Sequence, residues 1–240
     1  KDTSARCLRL TFTGDIMQHI PQIEAAQRGF NQFDYDPAFA YIAPYLQQSD
    51  VTLGNLELTL GGRPYSGYPC FSAPDTLLYS LKRAGFTAVT TANNHTCDRK
   101  TAGIKRTIEQ LESANMPFTG TFRNAEERDS LTPRIIEKNG LRMALLAYTY
   151  GTNGIPFATP VIVNLIDTAQ MLADLQKAKK VADFVVVAVH WGIEYQDAPS
   201  AEQRKVADFL LRNGATLIVG NHPHVVQPLR LVYDTDGTLR

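Results

Sequence analysis

The sequence predicts a layered α/β domain, an α-β-β-α sandwich in which two facing mixed sheets are flanked by helices. Strand-like apolar runs alternate with helical runs almost throughout the chain. The Val- and Ile-rich runs are continuous, which is typical of strands that are covered on both faces. Two further runs surround Asn139-Gly140, a hairpin signal that adds antiparallel pairing.

The first elements have clear local signals. Residues 8–13 alternate and are rich in β-favouring types, and residues 51–56 form a short apolar strand. Pro37 suits the first turn of a helix. The residues that this helix would place on one face are Phe39, Ile42, Tyr45 and Leu46.

The middle of the chain continues the alternation. A helix is predicted to begin near Asp75 and to end at Gly85, because glycine is the usual residue after a helix. Its inward residues are Leu77, Leu78 and Leu81. A strand at 86–91 follows, then a helix whose apolar residues are Ile104, Ile108 and Leu111, and a short strand at 118–121.

The last elements repeat the pattern. Strands are predicted at 134–137, 142–148, 184–189 and 215–219, and helices at 168–181 and 201–212. A final hairpin is predicted from a strand at 229–233, a turn at 234–237 and a second strand from residue 238 onward.

Length and composition favour one soluble-type domain spanning residues 1–240. The 24 basic and 24 acidic residues balance, which argues against a nucleic-acid partner. The three cysteines match no zinc-ribbon spacing, and the sequence leaves open whether two of them form a disulfide. Cys97 is interpreted as a small apolar thiol beside a site. No run is long enough to cross a bilayer, but Lys1 is not an initiator methionine, so we expect a segment upstream of it.

Polar residues that bind metals stand where the predicted strands end. His222 and His224 flank a proline after the strand at 215–219, and His190 ends the strand at 184–189. Neutral imidazole is the commonest ligand for metals of the zinc class. Ligands of α/β sheets bind beyond the carboxyl ends of the strands, so these side chains are expected to share one site.

The other strand ends carry oxygen ligands and acid–base groups. Asp15 follows a glycine, and Asn55 and Glu57 alternate along an extended segment. Asn94 and His95 follow the strand at 86–91, and Asp98 is a candidate acceptor that fixes the tautomer of His95. We interpret His95, His190, Glu194 and His224 as catalytic candidates, Asn94, Trp191, Tyr150 and Asn153 as substrate-binding candidates, and Asp15, Asn55, Glu57, Asn94, His190, His222 and His224 as metal ligands.

Five segments in order resemble the motifs of the CapA (PgsA) family of poly-γ-glutamate capsule synthesis proteins, a family similar to the calcineurin-like metallophosphatases. The segments are Gly14-Asp15-Ile16-Met17, Asn55-Leu56-Glu57, Ala92-Asn93-Asn94-His95, His190-Trp191-Gly192-Ile193-Glu194 and Gly220-Asn221-His222-Pro223-His224-Val225. The resemblance implies a metallophosphatase-like domain over most of the chain. The family pattern also continues beyond the last hairpin, so we expect a missing C-terminal segment.

The chain departs from the metallophosphatase pattern at two positions. Met17 stands where Asp-x-His has its histidine, and Asn55 stands where the bridging aspartate is expected. A thioether and a neutral amide both hold a hard or borderline dication weakly. For ions of the Zn, Mn or Fe class, the sequence therefore leaves three arrangements open. They are a one-metal site, a different metal position built around Asp15 and Glu57, and an intact dinuclear centre in which Glu57 supplies the missing charge.

Two functions follow from this resemblance. The first is metal-dependent hydrolysis of a phosphate ester or an amide by metal-activated water, with a small phosphorylated or γ-glutamyl substrate. The second is a non-catalytic component that binds an anionic polymer within a capsule synthesis and export complex. The resemblance also implies an extracytoplasmic location, a membrane anchor upstream of Lys1 and membrane-bound partners.

Overall fold

The computed structural model describes residues 6–238 and shows the predicted α-β-β-α sandwich. One four-stranded sheet has the order β1-β4-β5-β6, and the other has the order β12-β11-β9-β8. Every pairing in the first sheet is parallel, while the second is mixed because β8 runs antiparallel to β9. The prediction of two mixed sheets therefore holds for the second sheet only.

The strands and helices have the following bounds. The strands are β1 Leu10–Ile16, β2 Gln27–Gly29, β3 Gln32–Phe33, β4 Val51–Leu56, β5 Ala88–Thr90, β6 Phe118–Thr119, β7 Thr121–Phe122, β8 Arg134–Lys138, β9 Leu141–Thr149, β10 Ile162–Val163, β11 Phe184–His190 and β12 Leu217–Asn221. The helices are α1 Ile20–Ala26, α2 Asp36–Phe39, α3 Ala43–Leu46, α4 Thr76–Ala84, α5 Lys100–Ser113, α6 Ala125–Leu131, α7 Thr168–Val181 and α8 Ala201–Arg212.

The layer between the two sheets changes character along the strands. Large apolar side chains such as Leu53, Leu145 and Val186 fill its amino-terminal part. Three alanines follow at the next level, Ala92, Ala147 and Ala188. Because side chains alternate along a strand, the next positions on the same face of β4, β5, β11 and β12 are polar. These residues are Asn55, Thr90, His190 and Asn221.

The opposite faces of the sheets pack against helices. In β9, Ala144, Leu146 and Tyr148 point toward the layer of α7 and α8, while Met143 and Leu145 point toward the first sheet. Burial on both faces explains why these strands read as continuous apolar runs. The helices that cover the first sheet contribute Leu77, Leu78, Leu81, Ile104, Ile108 and Leu111 to its core.

A bulge in β1 aims Asp15 into the inter-sheet layer. Phe12 pairs with Leu53, but Asp15 pairs with Asn55, so that one extra residue is accommodated between them. Gly14 has φ +81°, a conformation that other residues adopt only with strain. Without the extra residue, strict alternation would direct Asp15 to the opposite face of the sheet.

Most predicted elements are confirmed. The bounds of β4, α7 and α8 match the predicted ranges, and Gly85 ends α4 with φ +112°. Asp167 caps α7 by accepting hydrogen bonds from two backbone amides, and Ser200 and Gln203 form a capping box at α8. The predicted strand at 118–121 is divided into β6 and β7.

Two predictions differ from the structure. The helix after Pro37 is divided into α2 and α3, and Ile42 and Tyr45 are exposed rather than packed with the buried Leu46. No strand forms at 229–233, although residues 234–238 do make the predicted turn. The second strand of that hairpin lies almost entirely outside the described residues. The sequence also gave no signal for the short elements α1, β2, β3, α6 and β10.

Within residues 6–238, no helix combines the length and apolar character that crossing a bilayer requires.

A buried ion pair joins α6 to α7 and β9. Asp174 lies 2.6 Å from Nη2 of Arg128, accepts a hydrogen bond from the Tyr148 hydroxyl at 2.7 Å and another from Gln170. Arg128 also donates to the Asn164 amide oxygen at 2.8 Å. Removing one partner of such a pair leaves an uncompensated charge in the protein interior.

We therefore expect Asp174→Asn to lower the free energy of unfolding by about 3–5 kcal/mol. Chemical denaturation monitored by circular dichroism measures this change. Asp208→Asn is the matched control, because Asp208 pairs with Arg212 on the exposed face of α8. Its effect should be much smaller, and an equal loss in both variants would contradict the role of the buried pair.

Candidate metal centre

The carboxyl ends of the central strands bring five ionisable side chains into one site. Asp15 lies near the end of β1, just past its bulge. Glu57 directly follows β4, His190 ends β11, and His222 and His224 follow β12. Their facing atoms lie close together: Nε2 of His190 is 3.7 Å and Nε2 of His224 is 4.0 Å from Oε1 of Glu57. The structure thus gathers these predicted metal ligands at one edge of the sandwich.

Asp15 is held as an anion by several donors. Its Oδ2 accepts the backbone N–H of His222 and lies 3.1 Å from Nδ1 of His224, while its Oδ1 accepts the amide N–H of Asn55 at 2.8 Å. Burial raises the pKa of Asp15, but the hydrogen bonds from His224, from Asn55 and from the His222 backbone outweigh it and hold the pKa well below its usual value.

Glu57 is the opposite case. It is fully buried, and neither carboxylate oxygen has a hydrogen-bond partner among the described residues. Burial, followed by the charge of Asp15, raises the pKa of Glu57 to about 10. A buried polar group without a partner is uncommon in native proteins and often marks a bound ion.

His190 is held by two amides. Its Nε2 lies 2.7 Å from the Asn94 amide oxygen, and its Nδ1 lies 3.1 Å from the Asn55 amide nitrogen. Because the Asn55 nitrogen is a donor, Nδ1 is the acceptor and Nε2 carries the proton. Burial lowers the pKa of His190 far below its usual value, so the ring is neutral.

Asn55, a predicted ligand, is hydrogen-bonded at both ends of its side-chain amide. Its amide oxygen accepts hydrogen bonds from Thr90 and Asn93, and its amide nitrogen donates to Asp15. The amide thus lies between Asp15 and His190, and Glu57 is the carboxylate of this segment.

The His222-Pro223-His224 turn has an unusual backbone. Both histidines have positive φ, 97° for His222 and 55° for His224, which is strained for residues with a side chain. Burial lowers the pKa of His222, and its Nδ1 is buried without a partner. The hydrogen bond with Asp15 raises the pKa of His224.

Three sets of side chains bring potential ligand atoms within 4.8 Å of one another. They are Glu57 with His190 and His222, Asp15 with Glu57 and His224, and Glu194 with His222 and His224. Glu57 belongs to two of the sets. The Met17 side chain packs against the apolar core between the first sheet and its helices.

His95 forms a separate buried dyad. Its Nδ1 lies 2.8 Å from Oδ2 of Asp98, which confirms the predicted contact. The same oxygen accepts the backbone N–H of Phe71 at 2.6 Å, and the Phe71 ring packs edge-on against His95 at 4.7 Å. Sequence reasoning missed Phe71, since it lies in an irregular loop with no spacing that relates it to His95. Cys97, next to this dyad, is a buried free thiol, as interpreted from the sequence.

The predicted substrate-binding residues lie on two sides of the site. The Tyr150 ring is half exposed and stacks on His190 at an interplanar angle of 10°, and Asn153 accepts a hydrogen bond from Asn94. Trp191 is mostly buried in the core under α7 and α8. A cavity of about 80 Å³ lies beside Trp191 and Tyr150, and Ser200 and Gln203 also line it. Glu194 is exposed in the loop after β11.

The donor set fits a divalent cation. Neutral imidazoles and carboxylates are the ligands that metals of the zinc, manganese and iron class prefer. Ligands must be deprotonated, and the lowered pKa values of His190 and His222 keep those rings neutral. A cation would also supply the missing partner of the Glu57 carboxylate, whose burial as an unpaired anion costs several kcal/mol.

Comparison with known proteins finds relatives among capsule biosynthesis proteins. The chain is 32% identical to a capsule biosynthesis protein CapA of Bacillus anthracis, over 92% of this chain and 55% of the relative. It is 29% identical to a PGA biosynthesis protein CapA of Bacillus subtilis (strain 168), over 98% of this chain and 62% of the relative. The chain thus spans less than two thirds of the length of these relatives.

The fold is also similar to that of a solved structure with little sequence identity to this chain. The crystal structure of a proposed 5′-nucleotidase from Staphylococcus aureus in complex with α-ketoglutarate superposes with a TM-score of 0.59 at 15% identity. The match covers 96% of this chain and 52% of that chain, and it shows a common metallophosphatase-like fold. The family model described as "Bacterial capsule synthesis protein PGA_cap" matches residues 9–239. The chain therefore belongs to this bacterial capsule synthesis family, and its domain has the metallophosphatase-like fold.

Proposed function

We propose that this domain is a metal-dependent hydrolase that acts on a phosphate ester or an amide bond in capsule synthesis. The observation that carries the proposal is the Glu57 carboxylate, which is fully buried, lacks a hydrogen bond and faces the imidazoles of His190 and His224. Family membership and the metallophosphatase-like fold support the same chemistry.

Glu57 would hold a divalent cation in this proposal, either with His190 and His222 or with Asp15 and His224. Glu57 thereby replaces the carboxylate that Asn55 lacks. Asn94 would add a neutral oxygen beside His190.

A bound divalent ion supplies electrophilic charge and lowers the pKa of its water, which provides a nucleophile near neutral pH. The protein supplies the remaining groups. Asp98 holds the Nδ1 proton of His95 and stabilises the charged ring, so that Nε2 can carry a proton to the leaving atom. Tyr150 packs against His190 and His222 and screens them from water on one side.

Removal of the Glu57 charge tests the metal centre directly. In metal-free protein the pKa of Glu57 is about 10, above its ordinary value of 4.5, so the folded state retains a proton that the unfolded state releases. Stability from this group is present below pH 4.5 and is lost as the pH rises toward 10. Between pH 7 and 9 the metal-free wild type should therefore lose stability relative to Glu57→Gln, by up to about 1.4 kcal/mol per pH unit.

Added Mn²⁺ or Zn²⁺ should reverse this order, because binding replaces the proton on Glu57 and stabilises the folded state. The melting temperature of the wild type should rise on metal addition, and that of Glu57→Gln should not. Glu109→Gln, an exposed change on α5, is the control and should respond to metal like the wild type. An equal metal-induced shift in Glu57→Gln would contradict the assignment.

Turnover is tested with His95. We expect His95→Ala to lower kcat by about 10²- to 10⁴-fold without reducing metal content, because it removes the proton donor and not a ligand. Initial rates on bis(p-nitrophenyl) phosphate and on γ-glutamyl-p-nitroanilide, measured with metal present, provide the readout. His19→Ala is a matched control, since His19 also packs edge-on against Phe71 but is exposed. If the wild type hydrolyses neither compound, the hydrolase proposal fails.

A second candidate function is a non-catalytic component that binds polymer or assembly partners. Two observations favour it: Met17 packs into the apolar core, and the amide of Asn55 is used within the protein. The usual ligands of these positions are therefore lost. Binding of an anionic polymer without turnover of either test compound would support this alternative.

We also propose an extracytoplasmic location, with membrane-bound capsule synthesis partners and an anionic or γ-glutamyl substrate. The support is the family's description as capsule synthesis proteins, since capsule is a surface material. Protease accessibility of the full-length gene product in intact cells tests the location. Complete protection until the cells are lysed would refute it.

A further inference from the structure

Glu194 lies in the loop that joins β11 to α8, outside every helix and strand. Hydrogen bonds hold this loop beside the segment that contains His222 and His224. The N–H of Trp191 donates to the Asn221 carbonyl at 3.1 Å, and the N–H of Tyr195 donates to the Pro223 carbonyl at 2.8 Å. The side-chain amide of Gln227 donates a third hydrogen bond, to the Gln196 carbonyl, at 2.7 Å. The exposed Glu194 is thereby fixed opposite the two histidines.

The carboxylate of Glu194 and one ring nitrogen from each of His222 and His224 lie within 4.8 Å of one another. Ligands of one zinc-class ion lie about 2.0–2.2 Å from it, so any two of them are at most about 4.4 Å apart. The exposed side chain of Glu194 is free to rotate and so to adjust its distance to the two rings. His222 also has a buried Nδ1 without a partner, an independent sign of a missing ligand near this ring.

The carboxylates of Glu194 and Glu57 lie near the same imidazoles, Glu194 on the solvent side and Glu57 in the interior. The charge of Glu194 contributes to the raised pKa values of both Glu57 and Tyr150. No lysine or arginine in the part of the chain that the structure describes forms an ion pair with Glu194. Its charge is therefore available to a cation at the imidazoles.

We propose that Glu194 is a metal ligand that completes the centre from the solvent side, together with His222 and His224. This inference rests on the proposed metal centre and differs from the general acid–base role that the sequence predicts for Glu194. The ligand taken is a divalent cation of the zinc or manganese class.

The test measures metal affinity and geometry, not turnover. Competition with a chelating dye gives the affinity for Zn²⁺, and the visible absorption of the Co²⁺-loaded protein reports the ligand set. We expect Glu194→Gln to weaken Zn²⁺ binding by about tenfold or more and to change the Co²⁺ spectrum. Glu202→Gln removes an equally exposed charge in the first turn of α8, and it should leave both readouts unchanged.

A further variant separates coordination from simple attraction by charge. Glu194→His keeps a ligand but removes the negative charge, so it should bind Zn²⁺ more tightly than Glu194→Gln. If Glu194→Gln has the same Zn²⁺ affinity and Co²⁺ spectrum as the wild type while Glu57→Gln abolishes binding, the role of Glu194 is wrong and the proposed metal centre stands. If the wild type binds neither metal, the metal centre and the role of Glu194 both fall.

Discussion

The structure depends on one costly arrangement, a fully buried carboxylate that no protein group satisfies. Glu57 lies at the end of β4, surrounded by Asp15 and imidazoles, and neither of its oxygens accepts a hydrogen bond in the described part of the chain. As an anion it is stable there only beside a cation, and as a neutral acid it needs the raised pKa that burial gives. Hydrogen bonds to other residues hold its neighbours Asp15 and His190 in place, so the fold itself specifies the position of the unpaired carboxylate. In the proposed centre, a bound divalent cation would supply the missing partner of this carboxylate.

The sandwich prepares this site by the order of side chains between its sheets. Large aliphatic residues fill the layer at the amino-terminal ends of the strands. The smaller side chains of alanines come next, and polar groups follow on the same strand faces. The bulge at Gly14 adds Asp15 to that face. Asn55 then links Asp15 to His190 and fixes both. The same amide explains why a chain without the expected aspartate retains an ordered site, since position 55 still orients its neighbours although it carries no charge.

Much of this follows from local sequence. Strand runs that end in Asp15, His190 or His222 predict both the sheets and the edge where the site lies, because period and burial are local properties. The role of Asn55 could not be predicted, since it depends on Thr90, Asn93 and Asp15 from neighbouring strands. The exposure of Ile42 has a similar cause: the predicted helix breaks in two, which a helical pattern of apolar residues does not show. The loop contacts of Phe71 and Tyr195 are likewise tertiary.

Diffraction from crystals soaked in Mn²⁺ or Zn²⁺, recorded at the absorption edge of the metal, tests the central claim most directly. We expect an anomalous peak about 2.0–2.3 Å from a carboxylate oxygen of Glu57 and from a ring nitrogen of His190, His222 or His224. A site without any peak at saturating metal, or a Glu57 carboxyl group that is bonded only to protein atoms, would contradict it.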